Sequence, residues 1–380
     1  MTPSSVRAEI AGLKPYVPGL SIAEIQEKYG LAQVIKRASN ENPLGTPPLA
    51  VAAVRRHAEG AFRYPQGGNP RLAAALGRRH QVDPAHIVVG NGSDEILDLL
   101  IRVLAVPGRD NLVCCRPCFS IYPIQGQICG VEARRQPLRE DFSFDFDGML
   151  NLVDQHTRLM FVTTPDNPSG YCPPRADVAR LARELAARAP QCLLVVDEAY
   201  MDFAPDPAGA SLLESGELPE NAAFMRTFSK QYGLAGLRLG YGVLPRELAD
   251  YLWRARLPFS VNILAEEAAL AALEDSAFYA ATQEAVHTGR DTLTVGLTAL
   301  GCTVWSSAAN FLMFRLPEGA PAAAVCFEEL LRRGVIIRPL TSYGLPDLLR
   351  VSVGDARENR VFLNALDDVL TATHGRGGAA

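Results

Sequence analysis

Residues 193–203 have the sequence LLVVDEAYMDF, and this stretch decides the class of fold. An unbroken apolar run, 193–196, is followed at once by Asp197, Glu198 and Tyr200. We predict a strand over 193–197, since such a run is typical of a strand covered on both faces, as in a parallel sheet between helices. Active sites of these sheets lie outside the carboxyl ends of the strands. Asp197 and Tyr200 are therefore candidates for a functional site.

Similar apolar runs recur on both sides of this stretch, at 87–89, 111–115, 159–163, 222–227 and 239–243. Helical segments are predicted between them, among them 93–104, with Ser93 as its N-cap, and 175–188 after a Pro-Pro break. This alternation predicts an α/β fold whose large domain holds a mostly parallel sheet between helices.

A second region follows residue 270. Its predicted strands are 310–314, 335–338 and 349–353, and a helix closes it at 359–370. We interpret 46–270 as a large cofactor-binding domain and 271–370 as a smaller α/β domain. Residues 1–45 are expected to cover the site and join the small domain, and 371–380 to form a disordered tail.

Composition and charge narrow the class of partner. The formal net charge is −5 and the sequence pI about 5.8, which gives no general basic field for nucleic acid or an anionic membrane. The sequence contains no run of about 18 apolar residues that would predict a membrane span, and no signal sequence is evident. We therefore expect a cytoplasmic protein with small-molecule partners. Cys114, Cys115 and Cys118 form a single CxxC group without a second ligand pair, so no metal site is predicted.

The distribution of lysine singles out one residue. Lys230 is the only lysine after Lys36, whereas arginine is abundant throughout. Arginine stays protonated and cannot act as an imine-forming amine, so any such chemistry in this long stretch must use Lys230. Its surroundings, RTFSKQYGLAGLRLGY at 226–241, form a glycine-rich turn typical of a phosphate site beside a reactive amine.

Three further motifs have both a structural and a functional interpretation. VVGNGSDE, 88–95, places backbone N–H groups at a helix start, which suits an anion or an ordinary cap. TTPDNPSG, 163–170, is a strand-ending turn, and the amide of its Asn167 could donate a hydrogen bond to an oxygen on the ring of a bound molecule. Asp197 could be a cap, a metal ligand, or the partner of a protonated ring nitrogen.

Taken in order, PDNPSG (165–170), VVDEAY (195–200), TFSK (227–230) and GLRLGY (236–241) resemble fold type I pyridoxal-phosphate enzymes of the aminotransferase superfamily. Within it the chain is most similar to histidinol-phosphate aminotransferases. The resemblance runs from KPYVPG (14–19) and SNENPLG (39–45) through RYPQGG (63–68) to RPLTSYGLPDLLRVSVG (338–354). It implies pyridoxal 5'-phosphate as cofactor, a seven-stranded sheet, and a homodimer with shared active sites.

The resemblance also implies roles for individual residues. Lys230 would form the Schiff base and carry the proton, Asp197 would pair with the pyridinium nitrogen, and Tyr200 would hold the ring oxygen with Asn167. Phe119 would stack on the ring. The cofactor phosphate would be held by Gly92, Ser93, Asp94, Thr227, Ser229 and Arg238, and by Tyr64 of the neighbouring subunit. The substrate would be bound by Tyr16, Asn42, Arg338 and Arg350.

The implied reaction is transfer of the amino group of histidinol phosphate to 2-oxoglutarate. Aromatic amino acids are an alternative substrate class, and decarboxylation of a phosphorylated amino acid is an alternative reaction, because a fold does not fix its chemistry. A cofactor-binding regulator is a further alternative. It would need a DNA-binding module, for which the chain has neither length nor a basic helix-turn-helix segment.

Overall fold

The computed structural model describes residues 5–13 and 19–374. Its strands, in chain order, are β1 (Ile35–Lys36), β2 (Ile87–Gly90), β3 (Asn111–Arg116), β4 (Glu132–Pro137), β5 (Thr157–Thr163), β6 (Leu193–Asp197), β7 (Ala222–Thr227), β8 (Gly240–Val243), β9 (Thr303–Val304), β10 (Phe311–Arg315), β11 (Val335–Ile336), β12 (Arg338–Pro339) and β13 (Leu348–Ser352).

The α-helices are α1 (Ala8–Ala11), α2 (Ile22–Tyr29), α3 (Pro48–His57), α4 (Pro70–His80), α5 (Ser93–Leu104), α6 (Ile121–Ile128), α7 (Phe146–Asn151), α8 (Arg175–Arg188), α9 (Pro207–Ala210), α10 (Arg246–Ala255), α11 (Ile263–Glu274), α12 (Ser276–Ala299), α13 (Ala323–Arg332) and α14 (Ala356–His374). Within the described residues, no helix has both the length and the apolar character that crossing a bilayer requires.

The large sheet has seven strands in the order β2-β8-β7-β6-β5-β3-β4. Only β8 runs antiparallel to its neighbours, β2 and β7, and the other pairs are parallel. This confirms the predicted mostly parallel sheet. Strand β4 was not predicted, because it is an edge strand whose sequence, EARRQP, lacks the apolar run of a buried one.

Burial on both faces explains why the central strands read as continuous apolar runs. In β6, Leu194 and Val196 belong to one core, and Leu193 and Val195 belong to the core on the other face. Polar residues enter only where the strand ends, at Asp197. The carboxyl edge of this sheet is therefore where the chain can place polar side chains.

The C-terminal region forms a four-stranded sheet in the order β12-β13-β10-β9, packed against α12, α13 and α14. The single strand predicted at 335–338 is two short strands, since β11 pairs in parallel with β1 and β12 pairs with β13. The N-terminal segment is thus joined to this region through β1.

Two local expectations were wrong. Helix α5 does begin at Ser93, but its N-cap is Gly92, and Ser93 makes no capping bond because it is already the first helical residue. Helix α14 continues to His374, so 371–374 is not a disordered tail, and the Thr371 hydroxyl donates to the Asp367 carbonyl oxygen over 2.6 Å. Residues 375–380 lie outside the described part.

The predicted domain boundary near residue 270 falls within α11. The buried alanines of that helix, among them Ala265 and Ala272, pack in a core of the large sheet. Farther along, Leu293 and Leu297 of α12 pack in the core of the small sheet. The division of the chain into the two domains remains a prediction.

Candidate active site

A cavity of about 260 Å³ opens at the carboxyl ends of β5, β6 and β7. Its size suits a small molecule. Ten residues selected from the sequence line it: Ser93, Asp94, Phe119, Asn167, Asp197, Tyr200, Thr227, Ser229, Lys230 and Arg238. It is also lined by Ser39, Glu41, Thr163, Ala199 and Ala235, which the sequence had not indicated.

Asp197 is a buried carboxylate at the base of the cavity, 3% exposed. Its Oδ2 accepts a hydrogen bond from the Tyr122 hydroxyl over 2.7 Å, and its Oδ1 accepts from the Ala199 backbone N–H over 3.2 Å. Burial raises the pKa of Asp197 to about 6. A buried carboxylate of this kind is stabilised by a cationic partner in the cavity.

Tyr122 fixes the position of that carboxylate. Its ring stacks on Phe161, with 4.7 Å between ring centroids, and its hydroxyl is also 2.7 Å from Thr163 Oγ1. Sequence reasoning missed this residue, although it lies three positions after Phe119 in RPCFSIY. The spacing alone does not distinguish a core tyrosine from one that contacts a functional carboxylate.

Lys230 is the amine of the site. Its Nζ donates to the Ser39 carbonyl oxygen over 3.2 Å and lies 5.6 Å from the centroid of the Tyr200 ring. Desolvation, and next the charge of Arg350, lower the pKa of Lys230 to about 8. About a tenth of the amine is then neutral at pH 7, against a negligible fraction for an ordinary lysine.

The other end of the cavity collects hydrogen-bond donors. Ser93 and Asp94, the first residues of α5, line this end together with Arg238, whose Nη2 is 3.4 Å from Asp94 Oδ2. Gly92 has φ +75°, and a Cβ atom there would lie 2.8 Å from Arg238 Nη2. Glycine is therefore required for the guanidinium to approach the helix start, where donors for an anion converge.

Asn167 connects the cavity to the small sheet. Its Oδ1 accepts hydrogen bonds from Arg350 Nη1 and, over 3.4 Å, from the Tyr343 hydroxyl. Arg350 is only 5% exposed, and its Nη2 donates to the Ala38 carbonyl oxygen over 3.0 Å. Because its oxygen is engaged, Asn167 has its amide N–H groups left as donors. Tyr343 was not selected from the sequence.

The residues predicted to bind substrate lie in different parts of the structure. Arg338 is half-buried and lies directly opposite Arg350 in the β12–β13 pair, so both side chains are on one face of the sheet. Asn42 donates through Nδ2 to the carbonyl oxygens of Lys230 and Gln231, which ties the lysine segment to the N-terminal segment. Its contact with substrate stays a prediction. Tyr16 lies outside the described residues.

Tyr64 does not line the cavity of its own chain. It is 81% exposed and stacks on Phe259, with 4.8 Å between ring centroids. An exposed aromatic pair of this kind is suited to contact with another molecule.

The donor set matches the chemistry of pyridoxal 5'-phosphate. A partly neutral amine suits the aldehyde, a buried carboxylate suits a pyridinium nitrogen, and a helix start beside a guanidinium suits a phosphate. The residues that supply these three features, Lys230, Asp197 and the start of α5 beside Arg238, all line this cavity.

The chain is similar to known aminotransferases in sequence and in structure. The family described as "Aminotransferase class I and II" matches residues 32–366. The chain is 57% identical to the histidinol-phosphate aminotransferase of Oleidesulfovibrio alaskensis, over 97% of this chain and 95% of the relative. It is 58% identical to that of Nitratidesulfovibrio vulgaris, over 97% of each chain.

Among solved structures, the chain is similar to the histidinol-phosphate aminotransferase from Sinorhizobium meliloti in complex with pyridoxal-5'-phosphate. The TM-score is 0.87, with 27% identity over 97% of this chain and 98% of the other. The fold is also that of the aspartate aminotransferase from Thermus thermophilus, with a TM-score of 0.81 at 24% identity over 96% and 99% of the two chains.

Proposed function

The chain belongs to the class I and II aminotransferases, and we propose that its cavity transfers the amino group of histidinol phosphate to 2-oxoglutarate. The products are imidazole-acetol phosphate and glutamate, in histidine biosynthesis. The observation that carries this function is the meeting of the Lys230 amine and the buried Asp197 carboxylate in one small cavity, in a chain 57% identical to a histidinol-phosphate aminotransferase.

Pyridoxal phosphate, when bound, supplies an electron sink for the negative charge that forms on the substrate when its Cα proton is removed. Asp197, held by Tyr122, is the residue that would keep the ring nitrogen protonated. Arg238 and the start of α5 would hold the phosphate, with Thr227 and Ser229 beside them. Phe119 lines the cavity where the ring would stack.

Lys230 is the residue that would hold the cofactor covalently and then move the substrate proton. Burial keeps part of the amine neutral, and a neutral amine is both a nucleophile and a proton acceptor. The Ser39 carbonyl oxygen, 3.2 Å from Nζ, orients the amine. Asn167 and Tyr200, from the segments that follow β5 and β6, would donate to the ring oxygen.

Arg338 and Arg350 would bind the anionic end of the substrate. Histidinol phosphate carries a dianionic phosphate, which two guanidinium groups can hold by several charge-assisted hydrogen bonds. Their placement opposite each other on one face of the small sheet supports this role. Asn42 and Tyr16 remain proposed contributors to the same pocket.

We further propose a homodimer in the cytoplasm. The exposed Tyr64–Phe259 pair, with exposed Phe62 and Leu257 nearby in sequence, supports an interface in which Tyr64 reaches the phosphate site of the partner. The eight cysteines, all within the described residues, carry free thiols. Free thiols are usual in a reducing compartment.

The two half-reactions test the proposed function. We expect histidinol phosphate to abolish the visible absorbance of the bound cofactor in the purified protein, and 2-oxoglutarate to restore it. Phenylalanine, as the competing donor, should act more slowly at equal concentration. Faster loss of absorbance with phenylalanine would favour an aromatic aminotransferase, and release of carbon dioxide from a phosphorylated amino acid would favour a decarboxylase.

A further inference from the structure

Asn40 is a buried residue within SNENPLG (39–45) to which no role was assigned from the sequence. It is 2% exposed and follows Ser39, the residue whose carbonyl oxygen accepts from Lys230. Its backbone has φ +54°, a left-handed conformation that asparagine tolerates better than most residues. A buried polar residue in this conformation is held by its hydrogen bonds.

Those hydrogen bonds come from the small sheet. The Asn40 backbone N–H donates to Ser352 Oγ over 2.8 Å, and the Ser352 hydroxyl donates to Asn40 Oδ1 over 2.8 Å. The Asn40 carbonyl oxygen accepts from Asn310 Nδ2 over 3.1 Å. Ser352 ends β13, and Asn310 directly precedes β10.

On its other side, Asn40 reaches the cavity. Its Nδ2 lies 3.1 Å from the hydroxyl of Tyr200, a residue that lines the cavity from the large sheet. The partner of Asn40 across the two regions of the molecule is thus the tyrosine expected to contact the cofactor.

The donor and the acceptor in the Ser352–Asn40 and Asn40–Tyr200 hydrogen bonds can be assigned because each hydroxyl has a single proton. Ser352 is 2% exposed, so its single hydroxyl proton needs a protein acceptor, and Asn40 Oδ1 is the acceptor at hand. The Asn40 amide is thereby oriented with Nδ2 toward Tyr200. The Tyr200 oxygen accepts that N–H, and its own single proton remains available for the cavity.

We infer that Asn40 is a positioning residue that makes the Tyr200 hydroxyl a hydrogen-bond donor toward the ring oxygen of the cofactor. The inference rests on the proposed function, since it takes pyridoxal phosphate as the group in the cavity. It also means that Ser352 of the small sheet, by orienting the Asn40 amide, sets the direction of the hydrogen bond at a hydroxyl of the large domain.

The inference predicts a spectroscopic change. A donor to the ring oxygen stabilises negative charge there, so the nitrogen that links Lys230 to the cofactor holds its proton less tightly. Removal of the donor should therefore raise the pH at which the visible absorbance of the bound cofactor changes. One neutral hydrogen bond corresponds to a rise of about half to one pH unit.

Asn40→Gly is the test variant, because glycine adopts φ +54° without strain and removes only the side chain. The absorbance of the holoenzyme is titrated against pH, and thermal stability is measured in parallel. Asn359→Ala is the matched control. Asn359 is also 2% exposed, and within the described part of the chain its side-chain hydrogen bonds go to the backbone of Gly354.

We expect Asn40→Gly to raise the titration midpoint, and Asn359→Ala to lower thermal stability while leaving the midpoint unchanged. In a Tyr200→Phe background, where the hydroxyl is already absent, Asn40→Gly should add nothing to the midpoint. Ser352→Ala, which releases the Asn40 amide, should shift the midpoint in the same direction and serves if Asn40→Gly does not fold.

An unchanged midpoint in Asn40→Gly with reduced thermal stability would show a purely structural residue and overturn the inference. Equal shifts in the presence and absence of the Tyr200 hydroxyl would do the same. If the unmodified protein acquires no visible absorbance on addition of pyridoxal phosphate, the proposed function itself fails, and the inference falls with it.

Discussion

At the scale of single residues, the site is built from groups whose charged forms are disfavoured by burial. Burial raises the pKa of Asp197 and lowers that of Lys230. Each shift costs the cofactor-free protein stability at neutral pH, since a pKa shift is a free-energy difference between two states. The shift of Lys230 also leaves part of its amine neutral and reactive, whereas the Asp197 carboxylate needs a cationic partner to stabilise its charged form. Sites that hold ligands commonly show such a trade between stability and activity.

Asp197→Asn should stabilise the cofactor-free protein near neutral pH. The folded pKa of about 6 lies above the ordinary 3.8, so the folded chain retains a proton between about pH 4 and 6 and loses stability as pH rises through that window. Two pKa units correspond to about 3 kcal/mol. Denaturant unfolding at pH 7.5 should show a gain of that order in the variant, and unfolding at pH 4 should show almost none.

The same variant should lose turnover by orders of magnitude, because asparagine cannot keep a ring nitrogen protonated. Tyr122→Phe, which keeps the carboxylate but removes its hydroxyl donor, is the matched comparison. Near-normal turnover in Asp197→Asn would show that the carboxylate is only structural. Lower stability of the variant at pH 7.5 would contradict the electrostatic account.

At the scale of elements, how well a feature is predicted depends on how local its cause is. Strands β6 and β7 match the predicted bounds. A strand that is buried on both faces consists of consecutive apolar residues, and these can be recognised in the local sequence. Lys230 stood out through lysine scarcity and its TFSK context. The contact between Asn40 and Tyr200 joins residues 160 positions apart. No periodicity encodes it, because it depends on how the two sheets pack together.

The β12–β13 pair contains two arginines that the sequence indicated, but their pairing could not be predicted from it. Arg338 and Arg350 were selected separately, and the pairing register now places them opposite each other. We expect Arg338→Ala to raise the KM for histidinol phosphate about tenfold or more while affecting 2-oxoglutarate less, since one charge-assisted contact is worth about 1.5 to 3 kcal/mol.

Steady-state kinetics with each substrate varied in turn will measure that difference. Arg332→Ala on α13 is the control, because this arginine has a side chain 56% exposed and pairs with Glu329 on its own helix. Its KM values should stay near those of the unmodified enzyme. Equal increases for both substrates in Arg338→Ala would argue against a phosphate-binding role.

At the scale of the whole molecule, a shared active site can be tested by complementation. Lys230→Ala protein mixed with Tyr64→Phe protein should form some hybrid dimers, in which the Tyr64→Phe subunit has its lysine and receives Tyr64 from its partner. Such a site is intact, so activity should exceed that of either parent.

Lys230→Ala mixed with Asp197→Asn is the control. Both defects affect a site from within its own subunit, so no hybrid of these two has an intact site, and no rescue is expected. Verified subunit exchange without rescue in the first mixture would contradict a cross-subunit role for Tyr64.

Lys230 is the residue proposed to hold the cofactor in this cavity, and borohydride reduction followed by peptide mapping will show which lysine carries it. We predict one reduced, cofactor-bearing peptide, with the label on Lys230. The chain offers few other sites, since its remaining lysines are Lys14, Lys28 and Lys36. A label on any of those three, with Lys230 unmodified, would contradict the account.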